Sequence, residues 1–178
     1  MARRRRNSEQ SGFTLIEVVI TVAIVAVLAA IALPSFTSQS RKAKGDSEVA
    51  SFFAELRTRE EQYAVENGRF LSTGSSESAM FPTTPAAAGQ TLGTLPATWQ
   101  SLKIRTPEDK ARCSYVVISG LKGDAAGAIA TTSFAYTPPA KNWFYVLARC
   151  DLDNDSSVDS YYFISNDAAT IQKTNYGR

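Results

Sequence analysis

A continuous apolar run over residues 13–36 constrains this chain more than any other part of its sequence. The run holds 24 residues, and a helix of about 20 apolar residues already crosses the roughly 30 Å hydrocarbon core of a bilayer. Its only charged side chain is Glu17. Because a carboxylate inside a membrane costs a few kcal/mol, the run predicts a membrane-spanning helix in which Glu17 has a specific partner.

A basic leader precedes this run and leaves other interpretations open. Residues 3–6 are four arginines, which by the positive-inside rule keep the amino terminus cytoplasmic. If the segment were a secretory signal, residues 30–32 would supply a small-residue cleavage site and the product would be soluble. However, the run is longer than a usual signal core, and an acid at its cytoplasmic edge has no purpose in a discarded peptide. A plain membrane anchor would leave Glu17 without a role.

The sequence Gly-Phe-Thr-Leu-Ile-Glu at residues 12–17 resembles the amino-terminal signature of type IV pilins and of the related pseudopilins of type II secretion. The resemblance implies that a prepilin peptidase cuts between Gly12 and Phe13, that Phe13 is then N-methylated, and that the remaining chain is a filament subunit. It also implies that Glu17 faces the amino-terminal ammonium of a neighbouring subunit. Buried together, the two charges compensate each other, whereas either alone would be strongly destabilising.

The rest of the chain is enough for a single domain. Removing a leader at residues 1–12 and a helix at residues 13–36 leaves 142 residues, 37–178. The leader accounts for more than the whole formal charge of +2, so the mature chain is slightly acidic and has no basic field for nucleic acid. The sequence has no histidine and no nucleotide-binding or hydrolase motif, which argues against an enzyme.

The helix is expected to continue over residues 37–67, beyond a bend at Pro34. An apolar stripe with helical spacing supports this: Val49, Phe52, Phe53, Leu56 and Tyr63. Charged residues such as Glu60 are expected mostly to face elsewhere. Gly68 supplies the left-handed residue that ends a helix.

A surface loop over residues 68–112 and an antiparallel sheet within residues 113–178 are expected to follow. The loop is rich in Ser, Thr, Gly, Ala and Pro, with Phe81 and Trp99 packing it down. Strands are predicted at 113–118, 142–148 and 160–165, leaving open a short fourth one at 134–136. The predicted fold class is therefore α+β, with the sheet on the second half of a long helix, and it resembles the type IV pilin fold.

The chain has two cysteines, Cys113 and Cys150. In an exported domain such a pair more often forms a disulfide than a metal or catalytic site. A bridge would close a loop of about 38 residues and, by chain-entropy estimates, stabilise the fold by roughly 3 to 4 kcal/mol. Two free buried thiols are the alternative. The resemblance supports a bridge, because many type IV pilins staple their carboxy-terminal region in this way.

An acidic loop lies between the second and third predicted strands. Its carboxylates occupy the first, third, fifth and ninth positions: Asp151, Asp153, Asp155 and Asp159. Calcium loops place oxygen ligands at such positions, although Ser156 replaces the turn glycine and Tyr162 the bidentate glutamate. The two alternatives are a Ca²⁺ site and a solvated turn in which Asp and Asn cap their own backbone. No other cofactor is predicted.

These features predict a structural subunit, major or minor, of a type IV pilus. The partners implied by the resemblance are other pilins or copies of itself, a prepilin peptidase, an inner-membrane assembly platform with its ATPase, and the bilayer before assembly. The chain would cross the bacterial inner membrane once, then reside in a surface pilus or a periplasmic pseudopilus. A pseudopilin of a type II secretion system and a secreted binding module released at Ala32 are the alternative functions.

Overall fold

A computed structural model describes residues 12–106, 110–126, 129, 134–155 and 158–175 of the chain. The leader arginines and Ser156 of the acidic loop lie outside the described residues. The chain divides into two compact units, Met1–Thr37 and Ser38–Arg178. They are called here the amino-terminal unit and the carboxy-terminal unit.

Helix α1 is the longest element and spans Leu15–Asn67. Pro34 lies inside it, in a stretch whose composition suits a membrane helix, where proline is tolerated. Gly68 follows the last helical residue with a φ of +71°, a conformation that favours glycine. Its N–H donates to the carbonyl of Ala64 at 2.8 Å, which satisfies one of the last free carbonyls of the helix. The predicted long helix is confirmed.

Short elements occupy the predicted loop. They are β1 (Gln90–Thr91), α2 (Ala97–Ser101) and β2 (Lys110–Ala111), with β1 and β2 paired antiparallel. Trp99 of α2 is buried, and its ring meets that of Phe81 edge to face at 5.2 Å. These two aromatic residues pack the loop down, as the sequence predicts.

The main sheet has four antiparallel strands in chain order. They are β3 (Cys113–Gly120), β4 (Trp143–Cys150), β5 (Ser160–Ser165) and β6 (Ala168–Thr174). The first three correspond to the three predicted strands. The suggested strand at 134–136 was wrong, because these residues pack across the sheet instead of pairing at its edge. The ring of Phe134 stacks on Phe163 at 5.4 Å, and Tyr136 meets Trp143 at 5.7 Å.

The sheet is covered on both faces. The helical stripe of Val49, Phe52, Phe53 and Leu56 is buried in a core with one face of the sheet, where Phe52 stacks on Tyr115 at 4.4 Å. The opposite face carries a second buried cluster that includes Phe134, Trp143, Tyr145 and Phe163. Both apolar faces of the strands are thereby removed from water.

Glu60 corrects one sequence expectation, since its side chain is fully buried. It lies one turn after Leu56 on the buried face of α1, and its Oε2 accepts a hydrogen bond from the N–H of Leu71 at 2.9 Å. Burial raises the pKa of Glu60 to about 8, against the lowering effect of that hydrogen bond. The carboxyl group thus joins the last turns of the helix to the start of the loop.

The free edge of β3 is occupied along its length by groups from other elements. The N–H of Cys113 donates to Glu48 Oε1 at 2.9 Å, and that of Tyr115 donates to the carbonyl of Phe81 at 2.9 Å. Further along, the N–H groups of Val117 and Ser119 donate to the hydroxyls of Thr73 and Ser72 at 2.8 and 2.9 Å. Alternate N–H groups of this edge strand are therefore satisfied.

Candidate functional site

The apolar side chains of the amino-terminal unit are exposed around the whole circumference of α1. Their exposed fractions run from 49% at Val18 to 82% at Leu15, and Phe13 ahead of the helix is 86% exposed. An 18-residue window of this helix has a mean hydropathy of 2.9 and no buried residue. A helix that is apolar all round needs lipid or other helices about it. By length and composition this one suits a membrane span.

Thr14 and Glu17 form a reciprocal hydrogen-bonded pair at the start of α1. The N–H and Oγ1 of Thr14 both donate to Glu17 Oε2, at 3.0 and 2.8 Å. In return, the N–H of Glu17 donates to Thr14 Oγ1 at 3.3 Å. This is a capping box, in which the residue before the helix and the third helical residue satisfy each other's free donors.

The capping box gives Glu17 a local role that the sequence reasoning missed. The signal was present, because a threonine followed three residues later by a glutamate ahead of an apolar run is typical of a helix start. Both donors of Thr14 reach the same carboxylate oxygen. Oε1 can therefore accept from another donor while the cap is intact.

The two cysteines form a disulfide. Cys113 and Cys150 are directly opposite each other at the ends of β3 and β4, with their Cα atoms 4.3 Å apart, and both are fully buried. The bridge thus ties the first strand of the main sheet to the second at the end where the acidic loop begins.

Beside this bridge, the carboxylate of Glu48 on α1 accepts several hydrogen bonds. The sequence did not reveal this role of Glu48. Its Oε1 accepts from the N–H groups of Arg112 and Cys113 at 2.7 and 2.9 Å and from the hydroxyl of Tyr115 at 3.1 Å. Its Oε2 lies 3.3 Å from Arg112 Nη1. One carboxylate therefore holds the start of β3 to the helix.

The acidic loop is held to the carboxy-terminal unit by local contacts. Asp151 Oδ1 accepts from the N–H of Asn154 at 2.6 Å, as in an Asx turn. Leu152 packs on Gly45 of α1 so closely that a Cβ there would lie 2.8 Å from Cδ2 of Leu152. Asp159 pairs with Arg149 at 3.6 Å.

The carboxylates of the acidic loop act on the ionisation of Asp159. Burial raises the pKa of Asp159; Arg149 opposes that shift, and the carboxylates of Asp151, Asp153 and Asp155 add to it. Oδ1 of Asp153 is buried without a hydrogen-bond partner among the described residues. Within the described part of the chain, no group of three acidic, Cys or His residues is arranged to hold a metal ion. Calcium binding stays a prediction.

Comparison with known proteins matches the amino-terminal segment to a family model described as the prokaryotic N-terminal methylation motif, over residues 7–33. The type IV wide pilus major component PilA4 of Thermus thermophilus is 36% identical over 61 residues, covering 34% of this chain and 46% of that protein. The type II secretion system core protein G of Dickeya chrysanthemi is 32% identical over 87 residues, covering 48% and 53%.

A third relative is the prepilin peptidase-dependent protein D of Escherichia coli, 36% identical over 77 residues that cover 43% of this chain and 52% of that protein. By this motif and these relatives, the chain is similar to type IV pilins and pseudopilins. This pilin-like chain spans about half the length of the curated relatives that it matches. No solved structure gives a significant match.

Proposed function

We propose that this pilin-like chain is a structural subunit of a type IV pilus that assembles through its amino-terminal helix. The observation that carries the proposal is the exposed apolar surface of α1, which begins at a capping box containing the only charged residue of the run. Such a surface is stable in lipid before assembly and against like helices afterwards. The relative named as a type IV wide pilus major component supports this role.

Processing follows from the segment that precedes the helix. A prepilin peptidase would cut between Gly12 and Phe13 on the cytoplasmic face, and the new amino group of Phe13 would be methylated. Gly12 and Phe13 lie outside α1, and Phe13 is 86% exposed. A peptide bond in exposed, non-helical chain is the kind that a peptidase reaches. The processed subunit would then be added to a filament by an assembly platform and its ATPase.

Glu17 would act twice in this scheme. Through Oε2 it caps its own helix by accepting from Thr14. Through Oε1 it would accept from the amino-terminal ammonium of another subunit when the helices bundle. Removing either partner of such a buried ion pair leaves an uncompensated charge, at a cost of about 3 to 5 kcal/mol.

The experiment separates these two roles with two substitutions. Glu17→Gln keeps an acceptor for the capping box but removes the charge, whereas Glu17→Ala removes both. Both variants should be processed to an amino terminus at N-methyl-Phe13, as read by mass spectrometry. Because about 1.4 kcal/mol is a factor of ten, each should be depleted at least about tenfold in sheared filaments.

Two outcomes would contradict the proposal. Filaments that incorporate Glu17→Gln as well as the wild type would show that the charge does not drive assembly, and a loss confined to Glu17→Ala would assign the residue to helix capping alone. A mature amino terminus at Leu33 instead of Phe13 would support the secreted binding module.

A pseudopilin of a type II secretion system is the second candidate. The observation that favours it is the match to core protein G, which extends over 48% of this chain, compared with 34% for the pilus component. Deletion of the gene separates the two functions. Loss of surface filaments with normal exoprotein secretion supports the pilus, and the reverse phenotype supports the pseudopilus.

A further inference from the structure

A basic cleft lies between α1 and β2 in the carboxy-terminal unit. It has a volume of about 270 Å³, and its lining includes three cationic side chains, those of Lys44, Lys110 and Arg112. Lys44 lies one helical turn from Ser47 and two turns from Ser51, so all three share one face of α1. Lys110 lies in β2 and Arg112 directly follows that strand, and both line the cleft.

The described residues that line the cleft carry an excess of positive charge, because their one carboxylate, that of Glu48, is already engaged. Glu48 lines the cleft, but both of its oxygens are taken up by Arg112, Cys113 and Tyr115, and its side chain is only 8% exposed. Among the described residues, Lys44 and Lys110 have no ion-pair or hydrogen-bond partner for their ammonium groups. Two uncompensated ammonium groups therefore face the same space.

A neighbouring cavity of about 250 Å³ extends this basic surface. It shares Lys44 and Arg112 with the cleft and adds Arg41, while Ala87 and Ala88 form part of its wall. The wall is held beside Arg112, since the N–H of Ala86 donates to the carbonyl of Arg112 at 2.8 Å. The cations are thus presented by a helix and a paired strand, which hold them in place.

We propose that this basic cleft binds a phosphate group. A phosphate offers several strong acceptor oxygens, which suit two ammonium groups, a guanidinium edge and the hydroxyl of Ser47. Among the described residues that line the cleft, Glu48 is the one carboxylate, and it does not fill this role because it is engaged by its own partners.

The phosphate could be free or belong to an anionic lipid. Arg41 and Lys44 follow Phe36, the last residue of the apolar run, by only five and eight positions. Basic residues this close in sequence to a membrane segment would be attracted to anionic headgroups of the leaflet on their own side, here the exported side. The lipid source depends on the membrane insertion proposed above, whereas binding of free phosphate does not.

The test uses the full mature chain in a maltoside detergent, which contains no phosphate. Inorganic phosphate is titrated at constant ionic strength and its binding is followed by ³¹P NMR line width. The double variant Lys44→Gln, Lys110→Gln should weaken binding at least about tenfold, since two charge-assisted contacts are lost. The matched control is Lys103→Gln, Lys122→Gln, which removes the same charge from exposed positions outside the cleft, and it should bind as the wild type does.

Two results would overturn the proposal. One is a wild-type chain that does not broaden the phosphate signal, and the other is an equal loss in the two double variants, which would reduce the effect to net charge. The source is then identified in nanodiscs. If the occupant is a lipid, phosphatidylglycerol competes for the cleft, and inorganic phosphate should bind more weakly in phosphatidylglycerol discs than in phosphatidylcholine discs. Equal binding in the two kinds of disc supports free phosphate.

Discussion

The two units of this chain differ in where their apolar side chains find partners. In the amino-terminal unit, Leu15 and Ile31 are 82% and 72% exposed, and the apolar surface encircles the helix. In the carboxy-terminal unit, Val49 and Leu56 on the same helix are fully buried against the chain's own sheet. The two parts of this helix therefore suit different surroundings. The first part needs lipid or other helices about it, and the second part completes the hydrophobic core of the carboxy-terminal unit.

The polar groups of the two units differ in the same way. Residues 13–36 hold a single charged side chain, Glu17, whereas the carboxy-terminal unit engages its charged groups with one another, as in the pair of Lys173 with Asp46 at 2.8 Å. Stability of the second unit should therefore be independent of the first. Assembly should depend on the first.

Matched phenylalanine substitutions test this comparison with the largest expected effect. Phe52→Ala removes a side chain that is 1% exposed and stacked on Tyr115, and should lower the free energy of unfolding by about 3 to 5 kcal/mol. Phe36→Ala removes a side chain that is 70% exposed and should change it by less than about 0.5 kcal/mol. Urea unfolding in detergent, followed by tryptophan fluorescence, reads the carboxy-terminal unit alone, because both tryptophans, Trp99 and Trp143, lie there.

An equal loss of stability in the two phenylalanine variants would break the comparison, since it would mean that the amino-terminal unit folds together with the carboxy-terminal one. The full chain in detergent serves as the reference for both.

Glu60 makes the stability of the carboxy-terminal unit depend on pH. Its pKa is about 8 in the folded chain against 4.5 as the ordinary value, so between these values the folded state holds a proton that the unfolded state has lost. The free energy of unfolding should then fall as pH rises from about 4.5 to about 8, and level off above that. Each pKa unit corresponds to about 1.4 kcal/mol, so the total is a few kcal/mol at most.

Glu60→Gln should flatten this pH dependence while keeping an acceptor for the N–H of Leu71. Denaturant unfolding at pH 5 and pH 8 measures it. The control is Glu61→Gln, the next residue, whose side chain is 61% exposed; it should keep the wild-type slope. A slope that survives in Glu60→Gln would assign the pH dependence to other groups.

The smallest expected effect concerns the acidic loop. If its carboxylates bind Ca²⁺, added Ca²⁺ should raise the free energy of unfolding of the carboxy-terminal unit by RT ln(1 + [L]/Kd). The thermal unfolding temperature should rise with it. The double variant Asp153→Ala, Asp155→Ala should lose that gain, whereas Glu61→Ala, Glu66→Ala, with the same change in charge, should keep it. An unchanged unfolding temperature in millimolar Ca²⁺ would favour the solvated turn.

Those elements could be predicted whose type follows from the pattern of neighbouring residues in the sequence. The apolar run at 13–36 and the aromatic and β-branched residues of β3, β4 and β5 read directly as helix and strands. Strand β6 was missed because it is a mostly exposed edge strand, in which Gln172 and Lys173 are exposed and Ile171 packs on the core. Periodicity carries little information about such a strand.

Other features depend on contacts between distant residues, which local patterns do not carry. Glu60 was placed with the other charged residues of the helix, away from the apolar stripe, yet it is fully buried and the loop that follows the helix supplies its hydrogen bond. Glu48 meets Arg112, 64 positions away. The disulfide was predictable from cysteine usage. That its two cysteines lie directly opposite each other on β3 and β4 was not.

The occupied edge of β3 also bears on how copies of this chain can join. An open edge strand invites strand addition by another chain, the route by which β-rich proteins aggregate. Here, a strand arriving at Cys113, Tyr115, Val117 and Ser119 would find each N–H already donating, and would have to displace acceptors at a cost of about 1 to 3 kcal/mol for each buried donor left unpaired. The sheet is thereby closed to strand addition on that side, whereas association through the apolar helix would require no exchange of hydrogen bonds.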